Sequence, residues 1–302
     1  MPASTQESTV KKIESTRSAP NRHWVGDGFP VHGMFGYDEG ARERSPFLML
    51  DYAAPMGFEP TTARRGVGTH PHRGFETVTI VYAGEVEHRD STGMGGVIGP
   101  GDVQWMTAGS GILHQEFHSA NYAKTGGPFE MVQLWVNLPA KDKMTKPGYQ
   151  AILNSDIPVV PLRDSLGSGD EVGKVRVIAG AFDGRRGPAH TFTPMNVWDV
   201  RVQAGRTVRL PVQEGWPVQL IVLDGTVQVN QDTVLRATQM ASLSPDGADL
   251  EVEANGDAKL LLLAGEPIDE PVFGYGPFVM NTRAEIEQAI HDFNAGKFGR
   301  MS

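Results

Sequence analysis

The stretch "GTHPHRGFETVTIVYAGEVEH", residues 68–88, decides how this chain is read. His70 and His72 flank a single proline, Glu76 follows four residues later, and an apolar run then leads to Gly84. The run reads as a strand, and the glycine that ends it marks a tight turn into a second, alternating strand. Two of the chain's nine histidines therefore stand two residues apart at the mouth of a strand. Histidines in loops are often plain surface residues. The alternative is that this pair holds a metal ion, and the test is whether the chain supplies further ligands.

The further ligands lie downstream in "GSGILHQEF", where one residue separates His114 from Glu116. Side chains two apart on a strand point to the same face. His70 with His72, and His114 with Glu116, can each project a pair into one barrel interior. Two such pairs on neighbouring strands close around a single ion with three imidazoles and one carboxylate. The chain has no cysteine, which excludes thiolate sites and disulfides. The remaining donor set suits iron, manganese, nickel, copper, cobalt or zinc better than calcium or magnesium.

Outward from this stretch, short apolar runs alternate with turn residues, and 36 glycines and 21 prolines supply the turns. The expected fold class is all-β. A helix is expected only in "NTRAEIEQAIHDFNAGKFG", with an Asn or Thr cap, Ile286, Ile290 and Phe293 at helical spacing, and a stop at Gly296. The two halves repeat each other, since "VTIVYAGEVEH" (78–88) matches "QLIVLDGTVQV" (219–229). A period of this length means two copies of one domain rather than a solenoid. Two jelly-roll β-barrels in tandem are expected, residues 1–145 and 146–302, the second carrying the helix, with a linker between Pro139 and about Pro161. The repeat also serves as a control. Aligning Gly84 on Gly225 sets Pro211 and Gln213 opposite His70 and His72, and aligning Gly109 on Gly247 sets Val252 and Ala254 opposite His114 and Glu116. None of the four can rebuild the site, so the metal is expected in the first domain alone.

The formal net charge of −9 argues against a general grip on nucleic acid. Arg64-Arg65 is read as a solvated turn. No apolar stretch approaches the roughly 18–20 residues that span a bilayer, and the polar N-terminus lacks a signal-peptide core, so a cytoplasmic location is expected.

The chain resembles the pirin family of the cupin superfamily. The stretches that carry the resemblance are "VGDGFPV", "HPHRGFETVTIV", "GEVEHRDSTG", "GVIGPGDVQWMTAGSGILHQE" and "GPFVMNT", spread over residues 25 to about 293. The resemblance implies two cupin domains. The N-terminal one would bind one metal, usually iron as Fe(II), through His70, His72, His114 and Glu116, and the C-terminal one would be metal-free. It also implies an activity similar to quercetin 2,3-dioxygenases, which cleave the central ring of flavonols with O2 and release carbon monoxide. On that reading Glu116 is both ligand and catalytic base toward the flavonol 3-hydroxyl. The alternative it implies is an iron-binding, redox-responsive regulator of a transcription factor or metabolic enzyme.

Neighbouring residues have plainer expectations. Glu76 stands where a general cupin places its ligand carboxylate, but a hydrogen bond orienting a histidine is expected instead. His88 is expected to be a hydrogen-bonded supporting residue. His118 lies too far along its strand from His114 to share the ion. His23, His32, His190 and His291 lack partner patterns, and Trp105 and Met106 are expected in the core.

Overall fold

The structure, a computed structural model, describes residues 10–167 and 169–301. It is all-β, with two α-helices among the described residues, Ala120–Thr125 and Arg283–Asn294. The chain forms two compact units, each built on one seven-stranded and one four-stranded antiparallel sheet.

The unit that contains the candidate ligands comprises Ala19–Ile157, Pro188–Thr193 and the chain from Ile268 onward. Its larger sheet runs in the order Gly148–Ile152, Val103–Thr107, Phe75–Ala83, Gly127–Asn137, Phe47–Phe58, Phe29–Phe35, His23–Val25. Its smaller sheet runs Gly66–His72, Ile112–His118, Val86–Asp90, Gly95–Ile98. The apolar run of the opening stretch is strand Phe75–Ala83, buried through Val81 and paired on both sides. Gly84 ends it at φ +81°, where a Cβ would lie 2.6 Å from the ring of Phe129. Only glycine meets both demands at low cost. Helix Arg283–Asn294 belongs to this unit. The Thr282 hydroxyl caps it by accepting from the Glu285 amide, and Ile286 and Ala289 pack against Phe278, Met280 and Phe298.

The other unit comprises the described residues through Ser18, Pro158–Gly187 and Pro194–Pro267. Its larger sheet runs Ile13–Ser18, Gln239–Leu243, Val218–Asp224, Ala258–Gly265, Met195–Val202, Glu171–Ala179, Val159–Arg163, and its smaller one Arg206–Pro211, Asp249–Ala254, Thr226–Val229, Thr233–Arg236. Strand for strand these orders match those of the first unit, and Gly225 repeats the positive φ of Gly84 at +87°. Val252 and Ala254 are fully buried in a continuous apolar core with Val208, Leu210 and Val212. Where the first barrel gathers histidines, the second is packed with hydrocarbon.

The units divide the chain differently from the expected 1–145 and 146–302. Strand Ile13–Ser18 pairs with Gln239–Leu243 and so edges the sheet of the second barrel. Buried Lys11 anchors it there, its ammonium donating to the carbonyls of Ser244 and Pro245 at 3.2 and 2.7 Å. The matching edge of the first barrel is strand Gly148–Ile152, paired with Val103–Thr107 inside the stretch expected to be linker. An edge strand is held by backbone bonds on one side only, so the chain can supply it from a distant segment.

Candidate metal centre

The candidate ligands sit on the smaller sheet of the first unit. Strand Ile112–His118 pairs with Gly66–His72, setting His114 opposite His70 and Ile112 opposite His72. The register then slips: Glu116 faces Val67, so the strand carrying His70 has one residue more than its partner. Such a bulge bends the strand and re-aims its side chains. On its other edge Ile112–His118 pairs with Val86–Asp90, which sets Glu116 opposite His88 and His114 opposite Asp90.

These registers bring the three expected histidines together and set Glu116 beside His114 in a second group. The ring centroids of His70 and His114 lie 4.2 Å apart, those of His72 and His114 4.8 Å, and those of His70 and His72 4.9 Å. Donor atoms of His70, His72 and His114 all lie within 4.8 Å of one another, as do those of His88, His114 and Glu116. His114 is common to both groups. His70 is half-buried, whereas His72, His114 and Glu116 are buried.

Hydrogen bonds fix which ring nitrogen is available. His70 donates from Nδ1 to the carbonyl of Gly68 at 2.8 Å, and His72 from Nδ1 to that of Pro277 at 3.4 Å. The Nδ1 of His114 lies 3.4 Å from the Nδ1 of His88, whose Nε2 lies 3.2 Å from Asp90 Oδ2. Burial works against the Asp90 carboxylate, but hydrogen bonds from His88 and Thr92 outweigh it and hold its pKa below the ordinary value. The Asp90 carboxylate accepts from His88 Nε2, which leaves His88 Nδ1 to accept from His114 Nδ1. The remaining nitrogen, His114 Nε2, is buried without a hydrogen-bond partner. Burial, and next to it the neighbouring imidazoles, push His72 and His114 well below the usual histidine pKa. Neutral rings with free Nε2 lone pairs and tethered Nδ1 atoms are what a metal of this type requires. The residues fit such an ion.

Glu116 is held through Oε1 by the Thr79 hydroxyl at 3.3 Å and the Gln104 amide at 3.5 Å. Glu76 is fully buried and stands outside both donor groups. Its Oε1 accepts from the Thr107 hydroxyl at 2.7 Å, so it bonds a threonine and not the expected histidine. Burial lifts its pKa to about 7, against the pull of that hydrogen bond. His118 lies in a cluster with Phe29, Phe58, Tyr122 and Phe129 and donates to the Gly28 carbonyl at 2.9 Å. Trp105 and Met106 are core.

The segment after His72 is fastened by the end of the chain. Arg73 donates from Nε to the Ser110 carbonyl at 2.7 Å and from a terminal nitrogen to Asp292 at 3.0 Å, and stacks over Phe298. Pro277, whose carbonyl holds His72, lies between strands Phe273–Tyr275 and Phe278–Met280. Neither support is foreshadowed by the sequence, because Asp292 and Phe298 lie far along the chain from Arg73 and a backbone carbonyl carries no side-chain signature. The His88–Asp90 relay does have one, the same two-residue spacing as His70 and His72.

His70, His72 and Glu116 open onto a cavity of about 420 Å³ whose other walls include Phe29, Val31, Met131 and Trp135. Apolar walls with a few convergent polar groups make a small-molecule site.

Two jelly-roll barrels in tandem, one with a histidine and carboxylate cluster and one packed shut, define a bicupin with a single candidate metal centre among the described residues. The chain belongs to the pirin family: the Pirin domain matches residues 28–136 and the Pirin C-terminal cupin domain residues 197–299. A Pseudomonas aeruginosa protein named "Putative quercetin 2,3-dioxygenase" is 56% identical over 291 residues, covering 96% of this chain and 99% of its own. Human pirin is 36% identical over 91% of this chain and 89% of its own. The crystal structure of a quercetin 2,3-dioxygenase from Acinetobacter baumannii superposes with a TM-score of 0.93 at 52% identity, covering 97% of this chain and 100% of that one. No helix among the described residues is long and apolar enough to cross a membrane.

Proposed function

We propose that this chain is a metal-dependent dioxygenase that cleaves a flavonol with O2, holding one ion, Fe(II) in our reading, through the Nε2 atoms of His70, His72 and His114 and a carboxylate oxygen of Glu116. The observation that carries the proposal is the cavity, which meets His70, His72 and Glu116 on one side and a largely apolar wall elsewhere, a fit for a flat aromatic substrate. The similarity to proteins named for quercetin cleavage points the same way.

When bound, such an ion supplies a Lewis-acidic, redox-capable centre for a substrate oxygen and O2. The chain's own residues do the rest. The carbonyls of Gly68 and Pro277 and the His88–Asp90 relay orient the three imidazoles. Thr79 and Gln104 hold one oxygen of Glu116, and Glu116 takes the proton of the substrate hydroxyl. Phe29, Val31, Met131 and Trp135 give the rings an apolar wall that excludes water.

The test is aerobic incubation of the metal-loaded protein with quercetin while following the flavonol absorbance. Loss of absorbance with formation of carbon monoxide is expected. No turnover with iron, manganese, nickel, copper or cobalt would reject the enzyme and leave the iron-binding regulator.

A further inference from the structure

One rung of the larger sheet crosses this cavity as a row of polar residues. Gly33 pairs with Asp51, Asp51 with Gln133, Gln133 with Thr79, and Thr79 with Gln104. Directly opposed residues on neighbouring strands share a face, so these side chains stand side by side. Asp51 and Gln133 line the cavity, while Thr79 and Gln104 reach Glu116. The same face carries Val31, Met49, Met131 and Trp135 two residues to either side, so the row is a polar stripe in an apolar wall.

Burying polar groups costs free energy unless they find partners. At the Glu116 end they do, since the Thr79 hydroxyl also lies 3.0 Å from Gln133 Oε1. At the other end they do not. The Asp51 carboxylate makes no hydrogen bond among the described residues, although it is largely withdrawn from water and burial raises its pKa to about 6 against the pull of His23. The amide nitrogen of Gln133, with its oxygen turned to Thr79, is likewise without an acceptor among the described residues. A Cβ on Gly33 would meet Asp51 Oδ1 at 3.5 Å and the His23 ring at 3.7 Å, so Asp51 has a histidine neighbour on this flank. An acceptor and a donor thus stand next to each other on the cavity wall with no hydrogen-bond partner among the described residues.

We propose that Asp51 and Gln133 form a recognition pair for the hydroxyls of an aromatic ring remote from the metal, Asp51 accepting a phenolic O–H and Gln133 donating to the adjacent oxygen. The inference rests on the flavonol reading above and makes the preferred substrate one with neighbouring hydroxyls on its distal ring. Asp51 stands two strands from Thr79, the neighbour of Glu116, which is roughly 10 Å at the usual strand spacing. A three-ring flavonoid spans such a distance. A site built to bond a hydroxyl rejects the analogue that lacks it, because its own polar groups are then left unpaired.

The experiment is equilibrium binding to the full-length protein, as purified and under nitrogen, by quenching of tryptophan fluorescence. Quercetin is compared with the flavonol that lacks the two hydroxyls on the pendant ring. The parent protein should bind quercetin about 10-fold or more tighter, the usual worth of a hydrogen bond to a charged group. Asp51→Leu should remove most of that preference while leaving the affinity for the bare flavonol within about 2-fold, and Asp51→Asn should fall between. Both variants should fold, because Asp51 holds no hydrogen bond that folding needs. An unchanged preference in Asp51→Leu overturns the recognition pair while leaving the dioxygenase standing. Failure of the parent protein to bind either flavonol overturns both.

Discussion

His114 Nδ1 lies 3.4 Å from His88 Nδ1, and through His88 it is tied to the ionised carboxylate of Asp90. The relay leaves His114 Nε2, the buried nitrogen without a partner, as the atom offered to a metal. Replacing His88 by Phe keeps a ring beside Tyr149, against which His88 stacks at 5.2 Å, but removes the acceptor for His114. Metal affinity should fall about 10- to 100-fold, the usual effect of losing a hydrogen bond behind a ligand. Competition with a chelator measures it. An unchanged affinity would show that His114 needs no such orientation.

The same geometry fixes the stoichiometry. One ion per chain is expected, because Val252 and Ala254 fill the equivalent place in the second barrel with buried hydrocarbon. The His70→Ala, His72→Ala double variant should lose the ion and keep its fold by circular dichroism. Metal analysis of both proteins decides this: a second tightly bound equivalent, or full metal in the double variant, contradicts the assignment.

How much of this is legible in the sequence depends on how local each signal is. The pairs His70/His72 and His114/Glu116 can be read because strand geometry alone puts residues two apart on one face. The repeat is legible because Gly84 and Gly225 occupy the same positive-φ turn, which a side chain would oppose. Strand Ile13–Ser18 is not legible. Five of its six residues are exposed, so it has no apolar alternation, and only its backbone partners some two hundred residues away define it. Asp51 escapes notice for a similar reason: its meaning lies in Gly33 and Gln133 beside it on other strands.

Glu76 should lower the stability of the metal-free protein at neutral pH. Its pKa rises from 4.5 to about 7 on folding, so between those values the folded chain keeps a proton that the unfolded chain releases. Stability then falls as pH rises through that window. The loss is on the order of 3 kcal/mol by pH 7 and above, since each tenfold change in proton affinity is worth about 1.4 kcal/mol. Glu76→Gln stays neutral and can still accept from Thr107. In urea unfolding it should match the parent near pH 4.5 and exceed it by about 3 kcal/mol at pH 8. A difference that does not change with pH would mean the carboxylate is ionised in the fold.

Glu116→Gln separates ligand from base. It keeps the shape and one carbonyl oxygen for Thr79 and Gln104, but loses the negative charge and the capacity to take a proton. Three histidines should still hold a divalent ion, with affinity reduced about 10- to 100-fold. With the metal restored in excess, flavonol turnover should remain about 100-fold or more below the parent, the usual contribution of a general base. Raising the pH should recover part of the rate, since the flavonol then ionises unaided. Glu76→Gln is the control and should affect metal and rate less, because Glu76 bonds Thr107 and stands outside the donor groups. Turnover of the metal-saturated Glu116→Gln protein at the parent rate would remove Glu116 from the proton transfer. Loss of both metal and activity in Glu76→Gln would instead make Glu76 the ligand carboxylate.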